Sequence, residues 1–162
     1  NYASDMTRCI PVSGKFTERQ KEIYNAVLRV KNAAAKMLVP GNDWAEYHGE
    51  VGKLMTQELL QLKLITQEEV DNEDPDWPAY KKYFMHGTSH HMGLDTHDYG
   101  ILTEPMQAGM VFTVEPGIYL PEENLGIRLE DDYVIQEEGD PINLMEGIPI
   151  EVEDIEKWMA GD

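Results

Sequence analysis

Residues 110–120, Met110-Val111-Phe112-Thr113-Val114-Glu115-Pro116-Gly117-Ile118-Tyr119-Leu120, form a strongly β-prone run with a single carboxylate at its centre. Alternation along a strand puts Glu115 on the same face as Thr113 and Val111, and Pro116-Gly117 interrupts the ladder directly after it. A second run occupies 126–135, Gly126-Ile127-Arg128-Leu129-Glu130-Asp131-Asp132-Tyr133-Val134-Ile135, where the same period of two aligns Arg128, Glu130 and Asp132. The intervening 121–125 is short enough to join the two runs as an antiparallel hairpin. Counting outward from that loop sets Glu130 opposite Pro116, one residue from Glu115, so a one-residue bulge at Pro116-Gly117 is expected to bring both carboxylates onto one face. Two carboxylates that close repel unless a proton or a metal ion sits between them. Acids solvated on an open sheet face are the competing reading of this pair taken alone.

Upstream, residues 86–98 read His86-Gly87-Thr88-Ser89-His90-His91-Met92-Gly93-Leu94-Asp95-Thr96-His97-Asp98 and hold four of the five histidines. His86 and His90 are four apart, but Gly, Thr and Ser lie between them and no Glu follows His86, so a zincin helix is a poor match. An irregular strand or loop is expected, with His91 pointing away from His90. Histidine is the commonest metal ligand and acid-base residue, which sets this cluster apart from a lone core or surface His.

The first half of the chain is helical in pattern. Thr17 and Gln20 have capping-box spacing, and Ile23, Val27, Val30, Ala34 and Met37 recur at steps of three and four until Pro40-Gly41. Asp43 caps a second helix, carried by Tyr47, Val51, Leu54, Met55 and Leu59 to about Leu62, and Thr66 with Glu69 starts a short third. Residues 1–11 read as a strand entering a turn at Ser13-Gly14. The acidic 71–76 lacks the Gly and Glu positions of an EF-hand and is expected to be a solvated loop. Trp44, Trp77 and Trp158 are assigned to packing. Helices followed by short strands make the fold class α+β.

The 162 residues, 41% hydrophobic, suffice for one ordinary core. Thirty-one acidic against thirteen basic residues give a net charge of −18, which argues against nucleic-acid and anionic-membrane partners. The acidity is uneven: 1–63 carries nine basic and seven acidic residues, 64–162 four basic and twenty-four acidic. No apolar run has the roughly 18 residues of a membrane span and no signal-peptide layout opens the chain, so a cytoplasmic location is expected. The single cysteine, Cys9, excludes an internal disulfide and a multi-cysteine zinc site. Any metal must then be held by carboxylates and His. Asp5, His90, Glu115 and Glu130 form an oxygen-rich set with one imidazole, suited to Mn²⁺ or a similar divalent ion in a hydrolytic site.

Four ordered motifs carry a resemblance. They are Ser4-Asp5-Met6-Thr7-Arg8, with Pro11-Val12 and Gly14-Lys15-Phe16-Thr17 behind it; His86-Gly-Thr-Ser-His90 with residues 93–98; Thr113-Val114-Glu115-Pro116-Gly117-Ile118-Tyr119; and residues 126–132. Together they resemble the Xaa-Pro aminopeptidases (aminopeptidase P) and the related prolidases, metallopeptidases of the pita-bread fold. The resemblance implies that Asp5 is a metal-bridging aspartate, His90 the single His ligand, Glu115 a ligand and general base, and Glu130 the second bridging carboxylate. It further implies that His86 and His97 are non-ligand histidines that line the proline pocket and steady the scissile carbonyl. Arg128 is implied to organise the carboxylates behind the metals. The implied substrate is a peptide with proline at the second position, and the implied cofactor is a pair of divalent ions, Mn²⁺ first among them, which lower the pKa of a water.

Family members carry a further metal-ligand aspartate upstream of the Asp5 position, whereas only Asn1, Tyr2, Ala3 and Ser4 precede it here. The expectation is therefore that 1–162 is the C-terminal part of one metallopeptidase catalytic domain, a partial pita-bread with its first half missing and one metal or none. Apolar surfaces on the sheet and on the Ile23/Val27/Val30 helix face are expected to be exposed, favouring a homo-oligomer. The alternatives are a prolidase confined to Xaa-Pro dipeptides and a non-catalytic pita-bread module that binds a protein partner.

Overall fold

The computed structural model of the protein describes residues 1–161. Helix α1, Glu18–Ala35, begins where Thr17 accepts the Gln20 amide and the Gln20 side chain accepts the Thr17 amide, a complete capping box. Helix α2, Trp44–Gln61, is capped by Asp43, which accepts from Ala45 and Glu46 N–H. A second capping box, Thr66 with Glu69, opens the five-residue α3, Gln67–Asp71, and a 3₁₀ turn at Ala79–Lys82 leads into the irregular histidine segment. The four strands that build the site are β1 Val111–Val114, β2 Gly117–Leu120, β3 Leu125–Arg128 and β4 Asp131–Val134. A two-residue β5, Ile142–Asn143, and helix α4, Val152–Ala160, complete the chain. Among the described residues, no helix is long and apolar enough to cross a membrane.

β1 pairs antiparallel with β4, Val111 to Val134 and Val114 to Asp131, while β2 pairs antiparallel with β3, Gly117 to Arg128 and Leu120 to Leu125. Both ladders keep one register, and Leu129 N–H donates to the Pro116 carbonyl at 3.4 Å between them. The two runs are thus one long hairpin in which Glu115 lies across from Glu130. This corrects the counting from sequence, which set Glu130 against Pro116 and required a bulge. The loop closes one residue sooner than counted: Pro121–Glu123 forms a 3₁₀ turn and Asn124 takes a left-handed φ of 50°, so Leu125 already pairs with Leu120.

On the other edge of β1, the 88–92 segment runs antiparallel, with Met92 N–H to Val111 O, Thr113 N–H to His90 O and Glu115 N–H to Thr88 O at 2.7–3.1 Å. The expected strand over 1–11 is not formed. Only Thr7 makes a β-bridge, to Glu130, because the amides around it find partners on different segments: Ala3 N–H reaches Gly93 O and Asp5 N–H reaches the Asp132 carboxylate. The turn after it is present, with Gly14 N–H donating to Pro11 O.

The core lies between the helices and the sheet. α1 and α2 pack on each other, and α1 also crosses β1, β2 and β3. The Ile23, Val27 and Val30 face, expected to be exposed, is buried in this core at 0–2% exposure, since the sheet itself covers it. Exposed apolar side chains lie elsewhere, at Tyr2, Leu94, Tyr99, Ile101, Leu102 and Leu144. Of the three tryptophans only Trp44 packs, against Phe112; Trp77 and Trp158 are exposed, correcting their assignment.

The register argument makes Asn124 a checkable position. Asn124→Gly is expected to leave urea stability nearly unchanged, whereas Asn124→Val should cost about 1–2 kcal/mol because a β-branched residue resists the left-handed region.

Candidate metal centre

All seven residues singled out from the sequence, Asp5, His86, His90, His97, Glu115, Arg128 and Glu130, line one open cleft of about 500 Å³. They arrive from four segments. Glu115 sits at the break between β1 and β2, where Pro116 ends the ladder, and Glu130 stands opposite it between β3 and β4. His90 comes from the segment laid along β1, and Asp5 from the N-terminal segment that bridges to Glu130 two residues later.

His90 is oriented by its Nδ1–H, which donates to the His91 carbonyl at 3.0 Å, since a carbonyl can only accept. In the neutral ring this leaves the lone pair on Nε2, which faces Asp5 Oδ2 at 3.6 Å and Glu115 Oε1 at 3.7 Å. One donor atom from each of His90, Glu115 and Glu130 lies within 4.8 Å of the others, and the same holds for Asp5, His90 and His97. Glu130 is 2% exposed. Thr7 Oγ1–H donates to its Oε2 at 2.6 Å, whereas its Oε1 is buried without a hydrogen-bond partner.

An orphaned buried carboxylate oxygen beside a free imidazole nitrogen and two further carboxylates is a donor set that fits a divalent cation. The electrostatics agree. Burial, and then the Glu130 charge, push Glu115 up to about 7. Burial also raises Glu130.

The remaining residues frame this set. His86 donates Nδ1–H to the Gly87 carbonyl and accepts the Tyr119 hydroxyl at Nε2, 2.7 Å away. Burial lowers its pKa, so the ring is neutral. His97 is exposed and lies parallel on the His90 ring, centroids 4.0 Å apart. Arg128 is partly exposed, with Nε 4.0 Å from Glu115 Oε2 and Nη2 donating to Thr7 Oγ1 at 3.4 Å. His91 turns to the opposite side, against Phe112 and Trp44, as alternation from His90 predicts.

The period of two aligns Asp132 with Glu130 and assigns it no role of its own. Its Oδ2 accepts the Asp5 amide at 3.0 Å, its Oδ1 is buried without a partner, and burial pushes it up to about 6. Three acids in a row inside a β-prone run were the signal that could have marked it.

Residues 1–137 match the metallopeptidase family M24, and the chain belongs to that family. Within it, the chain is 40% identical to an Xaa-Pro aminopeptidase of Haemophilus influenzae, over 98% of this chain and 39% of the relative. It is 41% identical to the Xaa-Pro aminopeptidase of Escherichia coli, over 98% and 38% respectively. The structure of E. coli aminopeptidase P with the inhibitor Pro-Leu superposes with a TM-score of 0.86 at 38% identity, over 99% of this chain and 38% of that one. The chain thus spans about two fifths of the length of these relatives. The α+β architecture corresponds to part of the pita-bread fold.

The raised Glu115 pKa has a sign that can be checked. Without metal, folded Glu115 keeps a proton that the unfolded chain releases between about 4.5 and 7, so its contribution to stability falls as pH rises through that window. Glu115→Gln is therefore expected to stabilise the metal-free protein increasingly from pH 4.5 to 7, by on the order of 1–3 kcal/mol above it. Melting curves of both proteins in EDTA test this, and a pH-independent difference would contradict it.

Proposed function

We propose that residues 1–162 are the C-terminal part of the catalytic domain of a metal-dependent Xaa-Pro aminopeptidase, which hydrolyses the bond between an N-terminal residue and a proline at the second position. The convergence of His90 Nε2, Glu115 and the half-satisfied Glu130 in one cleft carries this reading. The names of the curated relatives favour an aminopeptidase over a dipeptide-only prolidase. Asp5, His90, Glu115 and Glu130 would hold the cation, for which Mn²⁺ suits the oxygen-rich donor set. When bound, such an ion supplies a water of lowered pKa and a Lewis acid for the scissile carbonyl.

The protein's own groups then have distinct tasks. Glu115 accepts the proton of the attacking water and holds it for the departing proline nitrogen. His97, exposed over the His90 ring, is placed to donate to the carbonyl oxygen as it gains charge. His86, kept neutral and fixed by Tyr119 and Gly87, presents an imidazole face beside Phe84 that suits the proline ring. Arg128 steadies Glu115 from the cleft rim. Cytoplasmic residence and a homo-oligomer belong to the same proposal, the latter motivated by the exposed Tyr2, Leu94, Tyr99 and Ile101 and tested by sedimentation.

The decisive assay is Mn²⁺-dependent release of the first residue from an Xaa-Pro-containing peptide by the chain joined to its upstream catalytic half. Turnover of tripeptides as well as dipeptides is expected. Glu115→Gln should lower kcat by about 10²–10⁴. Absence of turnover with Mn²⁺ would sink the proposal.

A further inference from the structure

Behind the sheet, on the side of β4 turned away from the cleft, Asp131 is 1% exposed and meets two cations. Its Oδ1 accepts Arg8 Nη2 at 2.6 Å. Its Oδ2 lies 2.5 Å from Lys31 Nζ and accepts Asn143 Nδ2 at 3.0 Å. Lys31, itself 1% exposed on the buried face of α1, also donates to the Tyr133 hydroxyl.

Arg8 has donors left over, and their targets are specific. Nη1 donates to both the Thr7 carbonyl, at 3.0 Å, and the Glu130 carbonyl, at 2.8 Å. Those two carbonyls are the acceptors of the reciprocal Thr7–Glu130 bridge, the single β-bridge of segment 1–11 among the described residues. Nε ties the same guanidinium to the Pro149 carbonyl.

A one-residue bridge contributes two hydrogen bonds and is a weak tether. A planar fork that touches both of its carbonyls while anchored on a buried carboxylate fixes it in distance and angle, which a lysine at that position could not do. By alternation Asp5 and Thr7 face the cleft while Arg8 points behind it, so the clamp works from the side opposite the acids it aligns.

We propose that Arg8, seated by Asp131, which Lys31 holds in place, is a positioning residue that sets Asp5 against Glu130 across the cleft. Its importance for function rests on the reading of that cleft as a metal site, but the alignment itself does not.

The test uses the full chain and Arg8→Lys, which keeps the charge and removes the fork. Three quantities are compared with the unchanged protein: amide exchange at Thr7 and Glu130 in metal-free protein, Mn²⁺ affinity by calorimetry, and the melting temperature. The expected result is at least tenfold faster exchange at Thr7 and Glu130 with the Val27 and Val51 amides unaffected, Mn²⁺ binding weakened about 10–100-fold, and melting within a few degrees. Unchanged protection of the bridge, or an equal loss of protection throughout α1 and α2, would overturn the proposal, as would unchanged Mn²⁺ affinity. If the unsubstituted chain, which spans only part of the catalytic domain, binds no Mn²⁺, the exchange data alone decide on Arg8. Should Arg8→Lys fail to fold, Asp131→Asn, which unseats the guanidinium while keeping the shape, is judged by the same measurements.

Discussion

Glu130, Asp131 and Asp132 are consecutive, and all three are at most 2% exposed. Burying an unpaired carboxylate costs more than almost any single contact returns, so three in a row constrain everything that packs around them. Strand alternation divides the burden between two faces. Asp131 goes to the back, where α1 must cross at a position that lets Lys31 reach it and where the chain before α1 must pass close enough to bring Arg8. Glu130 and Asp132 go to the front, where Thr7 and the Asp5 amide supply one donor each. The path of segment 1–11, which makes almost no sheet of its own, follows from these charges rather than from strand pairing.

The same strand geometry assembles the rest of the cleft. Because both ladders of the long hairpin share a register, Glu115 meets Glu130 at the point where proline ends the β1 ladder. The histidine segment is laid beside β1 by α2, whose first two turns offer Trp44 to His91 and the Tyr47 hydroxyl to Ser89 Oγ at 2.8 Å. His91 on the core side and His90 on the cleft side are then fixed by one alternation. Each donor comes from a different segment, and none depends on a flexible loop closing over another.

What could be read from sequence was what is locally encoded. Thr17, Asp43 and Thr66 announce their helices because a cap is satisfied within three residues, and the cleft residues stand out because ionisable groups interrupt apolar or β-prone runs. What escaped was set by a single torsion or by distant partners. The hairpin register turned on Asn124, whose left-handed conformation shortens the loop by one residue. The bridge from Thr7 to Glu130 and the ion pair from Arg8 to Asp131 link residues far apart in the chain, and no periodicity encodes them. Lys31 is different: it follows Ile23 and Val27 at steps of four, a charge placed in the apolar stripe of α1, and that anomaly was visible.

The two faces of β4 meet the same electrostatic demand in different ways, and that difference separates structural from functional acids. At the back, both oxygens of Asp131 are partnered by side chains anchored in the core. At the front, Glu130 Oε1 and Asp132 Oδ1 are buried without partners, and Glu115 and Asp132 rise towards neutrality. Protons can relieve part of that repulsion, but an apolar replacement would relieve all of it at less cost in stability. A fold that satisfies the middle carboxylate so completely and leaves its two neighbours wanting is consistent everywhere except at the cleft, which is where function departs from the demands of folding. The unmet demand there is for an exchangeable counter-charge, and His90 Nε2, turned to Asp5 and Glu115, is the nitrogen donor that such a cation, unlike a proton shared between carboxylates, would use.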